Sequence, residues 1–193
     1  DPRNVRLAGV ESPKYSHLAG LSLAEAADRS GAPLADFIRD VLIESRLVVN
    51  CIIFDVKRTE TDMLTVMRHP AQMSCSDGIY WGAFPHPRGW GSFAKFVGYC
   101  VRDRKAWTLE EAVRHLTAHP AERFQLPDRG LIEVGKTADV VVFDAAEIRD
   151  RSTYDQPRQP AEGVQLVLVG GQVAMENGRH TGSTNGQVLR RRR

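Results

Sequence analysis

The feature that most constrains the fold is a change of hydrophobic period part-way along the chain. Up to about Leu126, apolar residues recur mostly at helical spacing; after Gly130 they fall into short β-type runs. Ser22-Leu23-Ala24-Glu25 is a capping box, followed by Ala26 and Ala27, with Gly31 ending the helix and Pro33 opening the next. Leu34, Phe37, Ile38, Val41 and Leu42 then make one helical face. Residues 47–54, LVVNCIIF, read as a strand buried on both faces, the pattern of a parallel sheet. A helix is expected from Thr59 to Arg68, before Pro70, and a second short strand at 72–75. Gly82, Pro85, Pro87, Gly89 and Gly91 mark a loop; 92–104 and a segment capped by Thr108-Leu109-Glu110-Glu111 read as helices, with a last short turn from Pro120. Strands are expected at 139–143, 164–169 and 172–175, the last two joined by a Gly170-Gly171 hairpin. The order predicts an α/β fold: βα units over 1–130, then a β module and basic tail over 131–193.

Composition narrows the function. A net charge of +2 gives no reason to expect a nucleic-acid or membrane partner, and no apolar run is long enough to span a bilayer. The cluster Arg190, Arg191, Arg192 and Arg193 reads as a solvated tail. Cys51, Cys75 and Cys100 fit neither a paired zinc motif nor a disulfide framework, and no signal peptide opens the chain, so a reduced, cytoplasmic protein is expected. Asp1-Pro2, with no Met, looks like the start of an excerpt or a cleaved piece.

Asp77 is the most informative residue, expected at the C-terminal end of a short buried parallel strand, pointing into a cleft where the strand gives way to a Gly-rich loop. At the C-terminal rim of a βα barrel a carboxylate can take a proton from a water and return it to a leaving amine; Ser-Asp-Gly is equally ordinary turn chemistry. In Pro85-His86-Pro87-Arg88 the prolines stiffen a loop that pre-positions both side chains, and a guanidinium fork matches a carboxylate. A plain surface loop is the alternative. His115 and His119 have i, i+4 spacing but no HExxH glutamate, so a solvated helix face is the expectation; His69 is weaker still, and Cys75 reads as a buried structural thiol.

Taken together, Met67-Arg68-His69-Pro70, Ser76-Asp77-Gly78 and Pro85-His86-Pro87-Arg88 resemble the N-acyl-D-amino-acid deacylase branch of the amidohydrolase superfamily. The stretch from Gly135 to Asp144 (GKTADVVVFD) resembles the superfamily's end-of-chain signature; Thr108 to Phe124, Asp128-Arg129-Gly130 and Asp150-Arg151-Ser152-Thr153-Tyr154 add to the match. The resemblance implies the last βα units of a TIM-like metal-dependent hydrolase barrel followed by the C-terminal part of a small β-sandwich. It implies Asp77 as general base and acid, touching the metal; Arg88 as binder of the substrate α-carboxylate; His86 shaping the pocket; and Ser76 and Gly78 contacting substrate beside Asp77. The expected substrate is an N-acyl-D-amino acid, and the expected cofactor of the complete enzyme is Zn²⁺. The family's His-x-His and middle-strand ligands are absent from these 193 residues, so the chain alone is expected to bind zinc weakly and to need the missing N-terminal portion of the enzyme. Two alternatives stand beside this: a non-catalytic truncated relative, and an amidohydrolase of another linear or cyclic amide. The bulky stretch from Ile79 to Phe84 departs from the family's pattern and leaves the substrate's identity open.

Overall fold

A computed structural model describes residues 1–54, 57 and 59–190; Arg191, Arg192 and Arg193 of the basic tail lie outside the described residues. The chain forms two compact units. The first comprises Asp1–Thr59, Asp77–Gly89 and Ser152–Arg158; the second comprises Glu60–Ser76, Trp90–Arg151 and Gln159–Arg193.

In the first unit a strand that the periodicity leaves unassigned, β1 (Val5–Val10), pairs antiparallel with β2 (Val49–Ile53), Leu7 opposite Cys51, with a register shift between Leu7 and Gly9. Expectation and structure differ here: β2 is not part of a parallel sheet, and only Ile52 of its five residues is buried. An apolar run of this kind implies burial on both sides, whereas among the described residues β2 has a strand neighbour, β1, on one side only. Helices α1 (Leu23–Ser30) and α2 (Leu34–Glu44) close over β1. Their core joins Leu7, Val10, Leu18, Ala26, Ala27 and Val41 to Tyr15 and Phe37, whose rings meet edge-on at 5.9 Å. Both halves of the Ser22–Glu25 capping box form, and Gly31 ends α1 in the left-handed region at φ 72°.

In the second unit, α3 (Glu60–Met67) precedes an irregular segment. The strand expected at 72–75 is absent: these residues pair with no neighbouring strand, and Ser74 N–H donates instead to the His115 carbonyl at 3.5 Å. Helix α4 (Arg88–Lys95) starts four residues before Ser92 and runs into a π-helical stretch, Phe96–Asp103. Gly98 there lies so close to Ile148 that an added Cβ would sit 2.3 Å from the Ile148 carbonyl oxygen. Arg102 donates to three carbonyls of the same stretch, those of Ala145, Ala146 and Ile148. Helix α5 (Leu109–Leu116) opens on the complete Thr108–Glu111 capping box and is followed by α6 (Ala118–Arg123). One core gathers Met67, Cys100, Trp107 and Ala112; another gathers Ala94, Val97 and Ile148 with Phe143 and Val164.

The strands expected at 139–143, 164–169 and 172–175 form. Strands β3 (Val140–Phe143), β4 (Val164–Val169), β5 (Gln172–Glu176) and β6 (Arg179–His180) make an antiparallel sheet in chain order, with Gly170 and Gly171 at positive φ turning β4 into β5. Among the described residues, no helix is long and apolar enough to cross a membrane.

Candidate functional site

Asp77–Gly89 belongs to the first unit: residues 77–87 form a loop, Arg88 and Gly89 are the first residues of α4, and the backbone of Gly78 closes on that of Gly89. A Cβ on Gly78 would lie 3.0 Å from the Gly89 Cα, so glycine here favours the close approach of the two backbones. The Tyr80 ring lies over Gly89, and its hydroxyl donates to the Gly89 carbonyl at 3.3 Å. The result brings Asp77 and Arg88, eleven residues apart, into direct contact. Asp77, expected at the end of a buried parallel strand, instead follows an irregular segment with no ladder partner, and sits at φ 46°, a left-handed conformation that Asp adopts more readily than bulkier residues.

Arg88 holds Asp77 at two points. Its Nη2 lies 2.7 Å from Asp77 Oδ2, and its Nε donates to the Asp77 carbonyl at 2.7 Å. The Asp77 side chain is 74% exposed and that of Arg88 35%, so solvent screens the pair and its net worth is below about 1 kcal/mol. Geometry, rather than energy, is the significant feature: one donor of the fork meets a carboxylate oxygen and another a backbone carbonyl of the same residue.

His86 is the link next to Arg88. Its Nδ1 accepts the Arg88 backbone N–H at 3.1 Å, and its carbonyl accepts from Gly89 at 3.3 Å. With Nδ1 an acceptor, the neutral ring carries its proton on Nε2, which points at the Tyr154 hydroxyl oxygen 3.4 Å away. Pro85, beside it, is fully buried and anchors the loop.

Asp77, Gly78, His86 and Arg88, four of the residues singled out from sequence, thus stand together where the two ends of one loop meet, Arg88 as the first residue of α4. Ser76 is half-buried and ends the preceding segment, in the second unit. The histidines expected to lie elsewhere do so. His69 accepts the Ala71 N–H at 3.1 Å near the end of α3. His115, expected on a solvated face, is buried: it stacks on Trp107 with centroids 5.1 Å apart, and its Nδ1 is bonded to the Gln72 carbonyl. The i, i+4 spacing alone points to a solvated face because nothing local announces that Trp107 covers it. His119 lies 5.8 Å from His115. Cys75, expected buried, is exposed, since no strand forms there to enclose it. Sequence reasoning also missed Tyr154, Ser152 and Arg158 as neighbours of this loop. The only signal was the motif from Asp150 to Tyr154, which says nothing of what it touches.

The Zn²⁺ implied by the resemblance does not fit the residues described. Among them, no group of three or more His, Cys, Asp or Glu side chains is arranged to hold a metal, and a protein zinc site needs at least three such ligands. Asp77, the one residue assigned to the metal, is instead engaged by Arg88.

Comparison with known proteins agrees with the fold and the motifs. The amidohydrolase family model matches residues 24–175. The N-acyl-D-glutamate deacylase of Alcaligenes xylosoxydans xylosoxydans is 39% identical over 160 residues, which is 83% of this chain and 31% of that protein. The crystal structure of D-aminoacylase, described as defining a novel subset of amidohydrolases, superimposes with a TM-score of 0.84 at 32% identity, covering 97% of this chain and 38% of that one. The N-acyl-D-glutamate deacylase of Bordetella bronchiseptica, solved with zinc and a phosphonate mimic of the tetrahedral intermediate, gives 0.79 at 36% identity over 89% of this chain and 34% of that one. The chain spans about a third of the length of the curated relatives it matches. Matched over most of its length by the family model, and folded as the corresponding part of solved members is folded, the chain belongs to the amidohydrolase family.

Proposed function

We propose that this segment works within a longer, zinc-dependent enzyme that hydrolyses the amide bond of N-acyl-D-amino acids. The observation that carries the proposal is the two-point grip of Arg88 on Asp77. Those donors present the planar fork that an α-carboxylate requires. An incoming substrate carboxylate competes with Asp77 for the fork, and Asp77 is then free to handle protons at the scissile amide. As general base it takes the proton of the attacking water; as general acid it returns it to the departing amine. His86 holds the backbone of Arg88 and shapes the same pocket, while Ser76 and Gly78 flank Asp77 on the substrate side. Zinc and its ligands are assigned to the N-terminal portion of the enzyme outside this segment. The named relatives, deacylases of N-acyl-D-amino acids, support the substrate class.

Steady-state kinetics of the zinc-loaded full-length enzyme on N-acetyl-D-methionine test the reading. Asp77→Asn is expected to lower kcat by about 10²–10⁴-fold with KM nearly unchanged, since only proton transfer is lost. Arg88→Met is expected to act in the opposite sense, raising KM. An Asp77→Asn enzyme with near-wild-type kcat would remove Asp77 from the chemistry.

A further inference from the structure

The loop that carries Asp77 and Arg88 is held from outside by a second segment of the same unit. Ser152–Arg158 meets the loop at three places, across 65 to 76 residues of chain. Ser152 Oγ donates to the Pro87 carbonyl at 3.1 Å. The Tyr154 hydroxyl stands 3.4 Å from His86 Nε2, with the two rings edge-on at 5.2 Å. Arg158 donates through Nη1 to the Ala83 carbonyl at 2.9 Å and through Nη2 to the Gly82 carbonyl.

This segment is itself fastened to the sheet. Arg6 of β1 donates to the Tyr154 carbonyl at 3.2 Å and pairs with Asp155 at 3.0 Å. Phe54, just past β2, packs edge-on against the Tyr154 ring at 4.7 Å. Within the segment, Thr153 and Gln156 exchange hydrogen bonds, Gln156 N–H to Thr153 Oγ1 at 2.9 Å and Thr153 N–H to the Gln156 carbonyl at 3.1 Å. A continuous path therefore runs from the sheet through Tyr154 to His86, from His86 Nδ1 to the Arg88 backbone, and from the Arg88 guanidinium to Asp77.

We infer that Ser152–Arg158 is a strap that orients the Arg88 fork toward the substrate carboxylate, and that Tyr154 is a positioning residue acting through His86. The inference rests on the reading of Arg88 as the carboxylate-binding group. Its physical basis is that a fork recognises a carboxylate only in a narrow range of orientations, and a loop of this length holds one orientation only if tied from outside. The contacts of Ser152, Tyr154 and Arg158 described above fall on loop carbonyls and on His86, so their effect on the reaction is indirect.

The test is a mutant cycle in the zinc-loaded full-length enzyme with N-acetyl-D-methionine, comparing Tyr154→Phe, Arg88→Met and the double variant. Tyr154→Phe keeps the packed ring and removes only the hydroxyl, and equal melting temperatures establish that folding is intact. The expected result is a KM raised about tenfold by Tyr154→Phe with kcat little changed, and no further rise when Tyr154→Phe is added to Arg88→Met. Ser152→Ala, which leaves both rings in place, is expected to follow Tyr154→Phe. A Tyr154→Phe enzyme with unchanged KM, or one whose KM rises by the same factor with and without Arg88, overturns the strap while leaving the carboxylate role of Arg88 intact. An unchanged KM for Arg88→Met itself overturns that role, and the inference with it.

Discussion

At the scale of single residues, the surroundings of a glycine decide what its replacement costs. Gly82 has φ +99°, and an added Cβ would lie 2.6 Å from the Ala8 carbonyl oxygen and 2.9 Å from the Gly9 Cα, both backbone atoms of β1. Gly31 also has positive φ, but nothing lies within 4 Å of its added Cβ. Gly31→Ala is therefore expected to cost only the left-handed strain, about 1 kcal/mol. Gly82→Ala adds a backbone collision, and a loss of about 3 kcal/mol is expected. Urea unfolding of the two variants checks the difference; equal losses would mean that the loop is not seated on β1. The cysteines separate in the same way. Cys75 is exposed, whereas Cys100 is buried and burial pushes its thiol above the usual range. Thiol titration of the native chain is expected to modify Cys75 well before Cys100, with Cys100 reacting only on unfolding.

At the scale of elements, the helix starts are the most locally determined parts of the molecule. In α5 the Thr108 hydroxyl accepts from the Glu111 N–H at 3.2 Å, and the Glu111 carboxylate accepts from the Thr108 N–H at 2.8 Å. Thr108→Ala is expected to cost about 1 kcal/mol, read from a denaturant midpoint. The equivalent box on α1 carries a pH signature. The Ser22 hydroxyl, and then its backbone N–H, hold the Glu25 carboxyl below its ordinary value of 4.5. A carboxyl depressed in the folded state adds stability above its unfolded value, and that stability is lost as pH falls through the folded value, below about 4.5. The advantage of the wild type over Ser22→Ala in unfolding midpoint should therefore shrink on acidification from pH 7. An advantage that grows toward low pH would contradict the assigned cause. The strands behave differently: β4 and β5 follow from their sequence and the two glycines between them, whereas the segment at 72–75 has strand-like residues and no ladder partner.

At the scale of the whole molecule, the β3–β6 sheet is the least covered part. None of its described residues is buried, β3 and β6 are both edges, and Val141 and Val142 of β3 are 52% and 41% exposed. Unpaired edges and apolar faces of this kind favour association. The isolated 193-residue chain is expected to self-associate with rising concentration, as light scattering after size exclusion would show. A monodisperse monomer up to about 100 µM would count against an incomplete sheet. The same chain alone is expected to show neither stoichiometric zinc nor deacylase turnover, because no metal-ligand group is present among its described residues. Metal analysis with an assay on N-acetyl-D-methionine checks this. Stoichiometric zinc with turnover abolished by Asp77→Ala would show a ligand set within these residues.

What the sequence determined by itself is what neighbouring residues settle among themselves. Both capping boxes, the Gly170-Gly171 hairpin and the change of period after Gly130 depend on hydrogen bonds and torsions spanning a few positions. What only the tertiary structure decided depends on partners far along the chain. Strand β2 became antiparallel because β1, more than forty residues earlier, lies beside it; His115 became buried because Trp107 and the Gln72 carbonyl close over it; and Tyr154 reached His86 across 68 residues. Periodicity records which face of an element is apolar. It does not record which partner covers that face, and here the partner decided strand direction, burial and the support of the candidate site.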